Sequence, residues 1–390
     1  MATSRGRRSH VWLGTETGIL KGVDLSKKCA TNHTDISTLS REQEICCLCW
    51  GDDDERQVVL GCRNGTVKTF NSESATFVSE RDCSGGDGPF SGIALWDSAL
   101  ITCRRSGLLK VWKEDESENV EVNVGAEVWR MRARADKRHV VATGGRENDL
   151  KIWDLQRPEE PIFRAKNVRN DWLDLRVAVW IRDLQFMPGT EKLVTCTAHH
   201  QVRIYDPSCP QRRPVFETTF DEYPLTAVSI MSSQNQVVVG NTHGDMAIID
   251  LRKSKGPVSG ALKGQAGSVT CIQCHPSLPL VASCGLDRYL RIHDLDTRKI
   301  HQKVYLKSRL NCLLFTSKDN LEQEAEEEQT ALPKEDVTNE DDLWATMEEI
   351  VECKGSKKTN TKSTTVLTKK HKLSVKKAMP TVSKKHRAGN

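Results

Sequence analysis

Residues 140–155, VVATGGRENDLKIWDL, decide the fold of this 390-residue chain. They hold an apolar run, a small residue, a polar turn and a second run that ends on a large side chain. Two short strands joined by a tight turn account for this pattern. Six other stretches repeat it: HVWLGTETGILKGVDL from 10, VVLGCRNGTVKTFN from 58, ALITCRRSGLLKVWK from 99, LVTCTAHHQVRIYDP from 193, VVVGNTHGDMAIIDL from 237 and LVASCGLDRYLRIHDL from 280.

These seven stretches recur at a nearly regular interval. Their last large residues lie 47, 42, 41, 52, 44 and 44 residues apart, and a small residue stands nine positions before each of them. Such a period is typical of a four-stranded propeller blade, so we predict an all-β fold, a single seven-bladed β-propeller. The large residues are Val23, Phe70, Trp112, Trp153, Tyr205, Ile249 and His293, and the small ones are Gly14, Gly61, Cys103, Gly144, Cys196, Gly240 and Cys284.

A further short strand with period-2 alternation precedes most of these stretches. The first stretch has none, since only nine residues lie before it, but LNCLLF at 310–315 follows the last stretch. We therefore predict that this C-terminal strand completes the first blade and closes the ring, which removes exposed sheet edges. The other strands of this kind are ICCLCW at 45–50, VWRMRA at 128–133, IRDLQF at 181–186, LTAVSI at 225–230 and VTCIQC at 269–274.

The unit KIWDL at 151–155, with YDP, IDL and HDL at the same place in later blades, resembles the signature of the WD-repeat family. The resemblance implies a WD-repeat propeller. It is degenerate, because only one Trp-Asp pair ends a repeat and the turn aspartate of the family is matched only by Asp287. We therefore expect the hydrogen-bond network of the family, Asp–His–Ser–Trp, to be mostly missing and packing to hold the blades together.

Charge divides the chain into four parts. Residues 1–9 form a basic N-terminal extension, and residues 10–317 form the propeller. Residues 318–352 hold 14 acidic and 2 basic side chains, and residues 353–390 hold 12 basic and no acidic ones. Blocks of like charge repel themselves and bury little, so both blocks are expected to form a disordered tail.

Two features of this tail suggest roles. Helical spacing in the acidic block predicts a short amphipathic helix that docks on a partner or folds back on the propeller. Clusters of basic residues in the last block indicate nuclear or nucleolar targeting and nonspecific RNA contact, and the alternative is a solubilising tail. The helix residues are Leu343, Trp344, Met347 and Ile350, and the targeting residues are Lys369, Lys370, Lys372, Lys376, Lys377, Lys384, Lys385 and Arg387.

Composition and motifs argue against several classes of protein. The chain has 14 cysteines and no secretion signal, which indicates reduced thiols in the cytosol or nucleus, and no apolar run is long enough to span a membrane. Cys271-x-x-Cys274-His275 has the spacing of metal ligands, but residues three apart in a strand point to opposite faces. We therefore expect no metal and no cofactor. Because no catalytic motif is recognisable, we also expect that the protein is not an enzyme.

The turns within the repeats are expected on one modestly basic face of the propeller. The long spacing adds residues 163–183, where basic residues interleave with Trp172 and Trp180. This arrangement suits RNA or a protein partner, and the alternative is an extra strand packed against the ring. The candidate binding residues are Arg164, Lys166, Arg169, Trp172, Arg176 and Arg182 in this segment and Arg63, Arg104, Arg105, Arg146 and Arg288 in the turns, with His199, His200 and His243 beside them.

Segments throughout residues 10–316 are similar to those of a WD-repeat family of ribosome assembly factors. This resemblance implies a nucleolar scaffold that acts in early pre-rRNA processing during biogenesis of the 60S subunit. It also implies three kinds of partner, namely other pre-60S assembly factors, a nuclear AAA-type ATPase and an exosome-associated RNA helicase, and leaves direct contact with pre-rRNA open. The similar segments are HVWLGTETGILKGV, RAKNVRNDWLDLRV, CTAHHQVRIYDP, QRRPV, YPLTA, VVGNTHG, GLDRYLRIH and VYLKSRLNCLL.

Two other functions stay open. Asp250-Leu251-Arg252 ends a repeat in a pattern that some WD-repeat substrate receptors use to dock the adaptor of a cullin ubiquitin ligase, although Ile249 replaces the preceding tryptophan. An enzyme with its site in the central channel would need a convergent set of buried Asp and His residues there.

Overall fold

The computed structural model describes residues 9–35, 37, 39–113, 119–253 and 256–319. These residues lie in one unit of the chain, Met1–Ala331, whereas the other unit, Leu332–Asn390, falls outside the described residues. The described part is built from four-stranded antiparallel sheets, with one short 3-10 helix at Arg41–Gln43. None of its helices has the length and apolar character needed to cross a membrane.

The strands are numbered in chain order, and each blade runs from its inner to its outer strand. Blade 1 contains β28 (Leu310–Phe315), β1 (Val11–Thr15), β2 (Leu20–Asp24) and β3 (Cys29–Asn32). Blade 2 contains β4 (Ile45–Trp50), β5 (Gln57–Cys62), β6 (Thr66–Asn71) and β7 (Thr76–Asp82). Blade 3 contains β8 (Phe90–Trp96), β9 (Ala99–Arg104), β10 (Leu108–Trp112) and β11 (Val120–Asn123).

The remaining blades follow the same order. Blade 4 contains β12 (Val128–Ala133), β13 (Val140–Gly145), β14 (Asn148–Asp154) and β15 (Phe163–Arg164). Blade 5 contains β16 (Ile181–Phe186), β17 (Leu193–Thr197), β18 (Gln201–Tyr205) and β19 (Phe216–Thr219). Blade 6 contains β20 (Leu225–Ile230), β21 (Gln236–Asn241), β22 (Met246–Asp250) and β23 (Val258–Leu262). Blade 7 contains β24 (Val269–Cys274), β25 (Leu280–Gly285), β26 (Tyr289–Asp294) and β27 (Ile300–Tyr305).

The inner strands form a closed ring. Each of β28, β4, β8, β12, β16, β20 and β24 contacts the next, and β24 contacts β28 in turn. The first blade is completed by β28, whose Phe315 pairs with Val11 and whose Cys312 pairs with Gly14 of β1. The predicted seven-bladed propeller and its closure by the C-terminal strand are both confirmed.

Small residues in the second strands allow neighbouring blades to pack closely. A Cβ atom on Gly144 would lie 2.9 Å from Ile181 Cδ1 in the next blade, and one on Gly240 would lie 2.9 Å from Ile272 Cδ1. Cys196 and Cys284, at the equivalent positions of blades 5 and 7, are fully buried. A larger side chain there would force the inner strand of the next blade outward, which explains the column of small residues in the sequence.

The expectation that the polar network of the family is mostly missing is not contradicted, although two blades carry a counterpart of its tryptophan bond. Trp112 Nε1 donates to Thr102 Oγ1 at 2.8 Å, and Trp153 Nε1 donates to Thr143 Oγ1 at 3.2 Å. Each bond joins the third strand of a blade to the second strand of the same blade. Two blades therefore keep a tryptophan–hydroxyl bond in addition to apolar packing, because a buried indole N–H needs an acceptor.

Candidate functional site

One face of the propeller carries the turns that join the second and third strands of each blade; we call it the turn face. Each of these turns bonds to the segment that leads into the inner strand of its own blade. For example, Arg63 N donates to Glu44 O, Arg146 N donates to Glu127 O, and Ala198 N donates to Trp180 O. This shared bonding brings the turns and the loops between blades to the same surface, as the sequence predicted.

The candidate arginines of the turns differ in their surroundings. Arg63, Arg146 and Arg288 are exposed, and Arg63 Nη1 forms a 2.6 Å ion pair with Glu44. Arg104 is buried instead, and its guanidinium lies 5.0 Å from the ring centre of Phe90. Its side chain therefore stabilises blade 3 and is poorly placed to contact a partner.

Two tryptophans and three arginines come together where blades 3, 4 and 5 meet; we call them the indole–arginine cluster. The rings of Trp129 and Trp180 lie 5.6 Å apart. Arg105 and Arg182 lie over the Trp129 ring at 3.7 and 4.3 Å, and Arg146 lies over the Trp180 ring at 5.0 Å. Stacking of a guanidinium on an indole holds its plane in place while its N–H edge stays free to donate.

The charge of this region is poorly compensated. Asp183, 1% exposed, pairs with Arg130 at 2.9 Å and with Arg132 at 3.4 Å, so one carboxylate serves two arginines. Its other oxygen accepts a hydrogen bond from Val228 N. Burial, together with the nearby charges of Arg130 and Arg105, lowers the pKa of Arg182. The cluster is therefore a region of surplus positive charge at the ends of the inner strands.

The loop from 166 to 179, which joins blades 4 and 5, is held by its own hydrogen bonds; we call it the projecting loop. Asp171 Oδ1 accepts from the backbone N–H groups of Leu173 and Leu175, and Asn167 Nδ2 donates to Val177 O. Arg176 Nη1 forms a 2.8 Å ion pair with Glu147 in the turn of blade 4. These contacts fix the backbone of the loop against the turn face.

The tip of the projecting loop exposes apolar side chains. Trp172 is 89% exposed, and Leu173 and Leu175 are more than half exposed. The alternative of an extra strand that packs its tryptophans against the ring therefore does not apply to Trp172, whereas Trp180 does pack, against Trp129. An isolated exposed apolar residue is ordinary, but three on one ordered tip form a surface suited to a partner.

The remaining candidate residues of this segment surround the projecting loop. Arg164 lies on the outer strand β15 and is exposed. Lys166 is exposed and its backbone N–H donates to Arg212 O at 2.9 Å, and Arg169 is exposed on the loop itself. The structure thus brings Arg169, Trp172 and Arg176 together on one loop and places Arg182 in the indole–arginine cluster.

The histidines of the turns lie on the same face. The His243 ring stacks on Tyr223 at 4.6 Å, and its Nδ1 lies 2.8 Å from Asp245 Oδ2. Burial lowers the pKa of His199, and the neighbouring charge of His200 adds to this shift. The contacts of His243 stabilise the turn of blade 6.

The cysteines with metal-ligand spacing do not converge. Cys271 Sγ lies 4.0 Å from Leu313 O in blade 1, whereas Cys274 Sγ lies 3.9 Å from Ser229 O in blade 6. The two thiols therefore point to the blades on either side of their own strand. No group of three metal-ligating side chains was found among the described residues.

Two predictions concern residues away from the turn face or outside the described part of the chain. In the Asp250-Leu251-Arg252 sequence, Arg252 Nε and Nη2 bind the two carboxylate oxygens of Asp250 at 3.0 and 2.8 Å, so two of the arginine donors are already occupied. Two other sets of residues lie outside the described part of the chain, namely those named for the predicted helix in 318–352 and those named for targeting in 353–390.

Sequence reasoning did not single out Trp129, Arg130 or Asp183. All three belong to inner strands, and a bulge after Val128 and after Ile181 interrupts the regular alternation of side chains there. A signal was present, because VWRMRA places arginine at alternate positions of a strand that must face the channel. Charged residues at alternate positions of an inner strand indicate a channel ion pair or a ligand site.

Comparison with known proteins agrees with this architecture. The model of the family "WD domain, G-beta repeat" matches residues 256–294. The chain is 55% identical to WD repeat-containing protein 74 from Bos taurus and to that from Homo sapiens, in each case over 89% of this chain and 92% of the relative. It is 29% identical to ribosome biogenesis protein NSA1 from Meyerozyma guilliermondii, over 72% of this chain and 77% of the relative. With such identity along nearly its whole length, the chain belongs to the family of WD repeat-containing protein 74.

Proposed function

We propose that this protein is a ribosome biogenesis factor that acts as a non-enzymatic interaction scaffold in the nucleus and nucleolus. The observation that carries the proposal is the family membership, because fungal relatives over most of the chain are named ribosome biogenesis proteins. The finer proposal is an early role in pre-rRNA processing on the pre-60S particle. Its partners would be other pre-60S assembly factors, a nuclear AAA-type ATPase and the exosome-associated RNA helicase.

The channel supports a scaffold better than an enzyme. Its buried carboxylate, Asp183, is bound to Arg130, Arg132 and the backbone of Val228, so it is held as an ion pair and has no free oxygen to accept a substrate proton. Asp183 therefore joins blades 4, 5 and 6.

The projecting loop is the proposed docking element, and its proposed partner is a protein with an apolar groove. Tryptophan and arginine are enriched among the residues that carry most of the binding energy of interfaces. Hydrogen bonds of Asp171 and Asn167 already hold the loop, so binding would cost its backbone little further conformational entropy. Trp172, at 89% exposure, would bury most of its ring in such a groove.

Sedimentation of tagged full-length protein with pre-60S particles in nuclear extract tests the proposal. We expect the wild-type chain to sediment with the particle and Trp172→Ala to release a large fraction of it, since removal of an interface tryptophan typically costs about 2 kcal/mol or more. Tyr305→Ala is the matched control, because Tyr305 is a half-exposed aromatic residue on an outer strand of another blade.

The two variants separate the docking element from the general role. Wild-type protein that does not sediment with pre-60S particles would contradict a role in ribosome biogenesis. Wild-type sedimentation of a folded Trp172→Ala variant would instead contradict only the docking role of the projecting loop. Charge reversal at Arg169 and Arg176 tests the basic side chains of the same loop in this assay.

A further inference from the structure

The indole–arginine cluster contains hydrogen-bond donors that the protein leaves unused. The Nε1 atoms of Trp129 and Trp180 are buried and have no partner among the described residues. Arg105, Arg146 and Arg182 form no ion pair with a carboxylate in the part of the chain that the structure describes. The two indole donors lie beneath arginines that reach solvent, and arginines without a carboxylate partner point to a ligand that brings acceptors and negative charge.

We propose that this cluster binds the phosphate backbone of single-stranded RNA without reading its bases. The inference deepens the proposed function, on which it rests, since a ribosome biogenesis factor works on particles that contain rRNA. A phosphodiester chain presents one anion per nucleotide and accepts two parallel N–H bonds from a guanidinium edge. Arg105 and Arg182 share one indole, so they lie close enough for one short stretch of backbone.

The geometry excludes base stacking as the main contact. Proteins that hold single-stranded RNA through its bases offer aromatic rings with a free face. In this cluster Arg105 and Arg182 lie over Trp129, Arg146 and Arg182 lie over Trp180, and the two indoles also contact one another. Binding should therefore depend strongly on salt and weakly on base identity.

The arginine side chains of the cluster are accessible, whereas the two indole Nε1 atoms are buried. Arg146 is exposed, and Arg105, Arg182, Trp129 and Trp180 are half-buried, so each reaches solvent with part of its side chain. The carboxylate of Glu147, next to Arg146, is held by Arg176 at 2.8 Å. Negative charge next to the cluster is thereby partly neutralised, which favours an anionic ligand.

The test measures RNA affinity by fluorescence anisotropy in the full-length chain. The targeting residues of the tail are changed to glutamine in every variant, so that they do not mask the cluster. The probes are a labelled oligouridylate, a labelled oligoadenylate and a labelled polyglutamate peptide of equal length. Salt is varied between about 50 and 200 mM, a range in which phosphate contacts lose much of their affinity.

We expect Arg146→Gln to weaken binding of both RNAs about tenfold, the usual effect of one hydrogen bond to a charged group. The slope of log affinity against log salt should fall by about 0.7 for each phosphate contact removed. Arg182→Gln should have the same effect, and Arg146→Lys should keep the slope but lose part of the affinity. Arg157→Gln is the matched control, because Arg157 is exposed in the turn after β14, at the opposite end of the same blade.

Three results would overturn the inference. Unchanged RNA affinity in Arg146→Gln and Arg182→Gln would exclude the cluster, and a strong preference for one RNA would show base readout. Tighter binding of polyglutamate than of either RNA would assign the site to an acidic peptide instead. If these variants lose RNA yet still sediment with pre-60S particles, the proposed function stands independently of this site. If wild-type protein binds RNA but does not sediment, only the proposed function fails.

Discussion

Val11 and Phe315 are direct partners across the antiparallel pair β1–β28, although one lies near the start of the chain and the other near the end of the propeller. The pair joins the two ends of the ring. Phe315 is 2% exposed and its ring packs against His275 of blade 7 at 5.2 Å, so one side chain connects blade 1 to its neighbour. The stability of the whole ring should therefore depend on the last strand.

Loss of this strand is expected to unfold the ring. Phe315→Ala should lower the free energy of unfolding by about 3–5 kcal/mol, because a buried aromatic side chain leaves a cavity. Phe77→Ala, in an outer strand where the ring is 39% exposed, should cost much less. Urea denaturation followed by tryptophan fluorescence measures both. A fragment 1–305 that unfolds cooperatively and stays soluble would contradict the closure argument.

Asp183→Asn is expected to be strongly destabilising. The change leaves Arg130, 19% exposed, without its carboxylate, and an uncompensated buried charge costs about 3 kcal/mol or more. Glu73→Gln serves as the control, since its ion pair with Arg56 is more than half exposed on both sides and such pairs contribute about 0–1 kcal/mol. Urea midpoints of the two variants give the comparison, and equal midpoints would show that Asp183 is not needed for stability.

Histidine burial predicts loss of stability in acid. His293 is fully buried, and burial lowers its pKa from the ordinary value of 6.5. Its Nε2 donates to Lys263 O at 3.0 Å, which leaves Nδ1 buried without a partner among the described residues. Below pH 6.5 the unfolded chain binds this proton first, so stability falls as the pH drops toward the folded pKa.

The measurement is the urea midpoint between about pH 7.5 and 5.5, a range that spans the ordinary histidine pKa. The urea midpoint should decline less with falling pH in His293→Gln than in the wild type, because one of the buried titrating groups is gone. An equal decline of the urea midpoint in His293→Gln and in the wild type would contradict the assignment of this pH dependence to His293.

Cysteine reactivity should follow burial. Burial raises the pKa of the Cys103 thiol from 9.0 to about 12, so its thiolate fraction at neutral pH is about a thousandfold smaller than that of an ordinary thiol. Cys209 is exposed in the loop after β18. Brief alkylation of the native protein, followed by peptide mass spectrometry, should therefore modify Cys209 and spare Cys103. Alkylation in denaturant provides the control, in which both should react alike.

Most of the fold was predictable because a propeller repeats one local pattern. The five inner strands predicted at 45–50, 128–133, 181–186, 225–230 and 269–274 match the observed bounds, since period-2 alternation is a sequence signal of a strand. The inner strand of blade 3 was not predicted. Its sequence, FSGIALW, has Gly92 and Ala94 where other blades have larger residues, so the alternation is weak.

The candidate site was predictable only in outline. Trp172 and Trp180 stand in the same basic segment, yet one is 89% exposed and the other packs against Trp129. Arg104 and Arg105 are adjacent, yet one is buried on Phe90 and the other lies over an indole of the next blade. These differences depend on which blade each side chain meets, and local sequence does not contain that information.

The sequence by itself determined the number of blades, the position of the small residues between them and the strand that closes the ring. These follow from periodicity, since each blade needs the same alternation of apolar and small residues to bury its two faces. Only the tertiary structure decided how blades 3, 4 and 5 gather their arginines around two indoles and one carboxylate, and that the tip of the projecting loop stays exposed. Contacts between blades set these features, because closure of the ring brings together side chains that are distant in the chain.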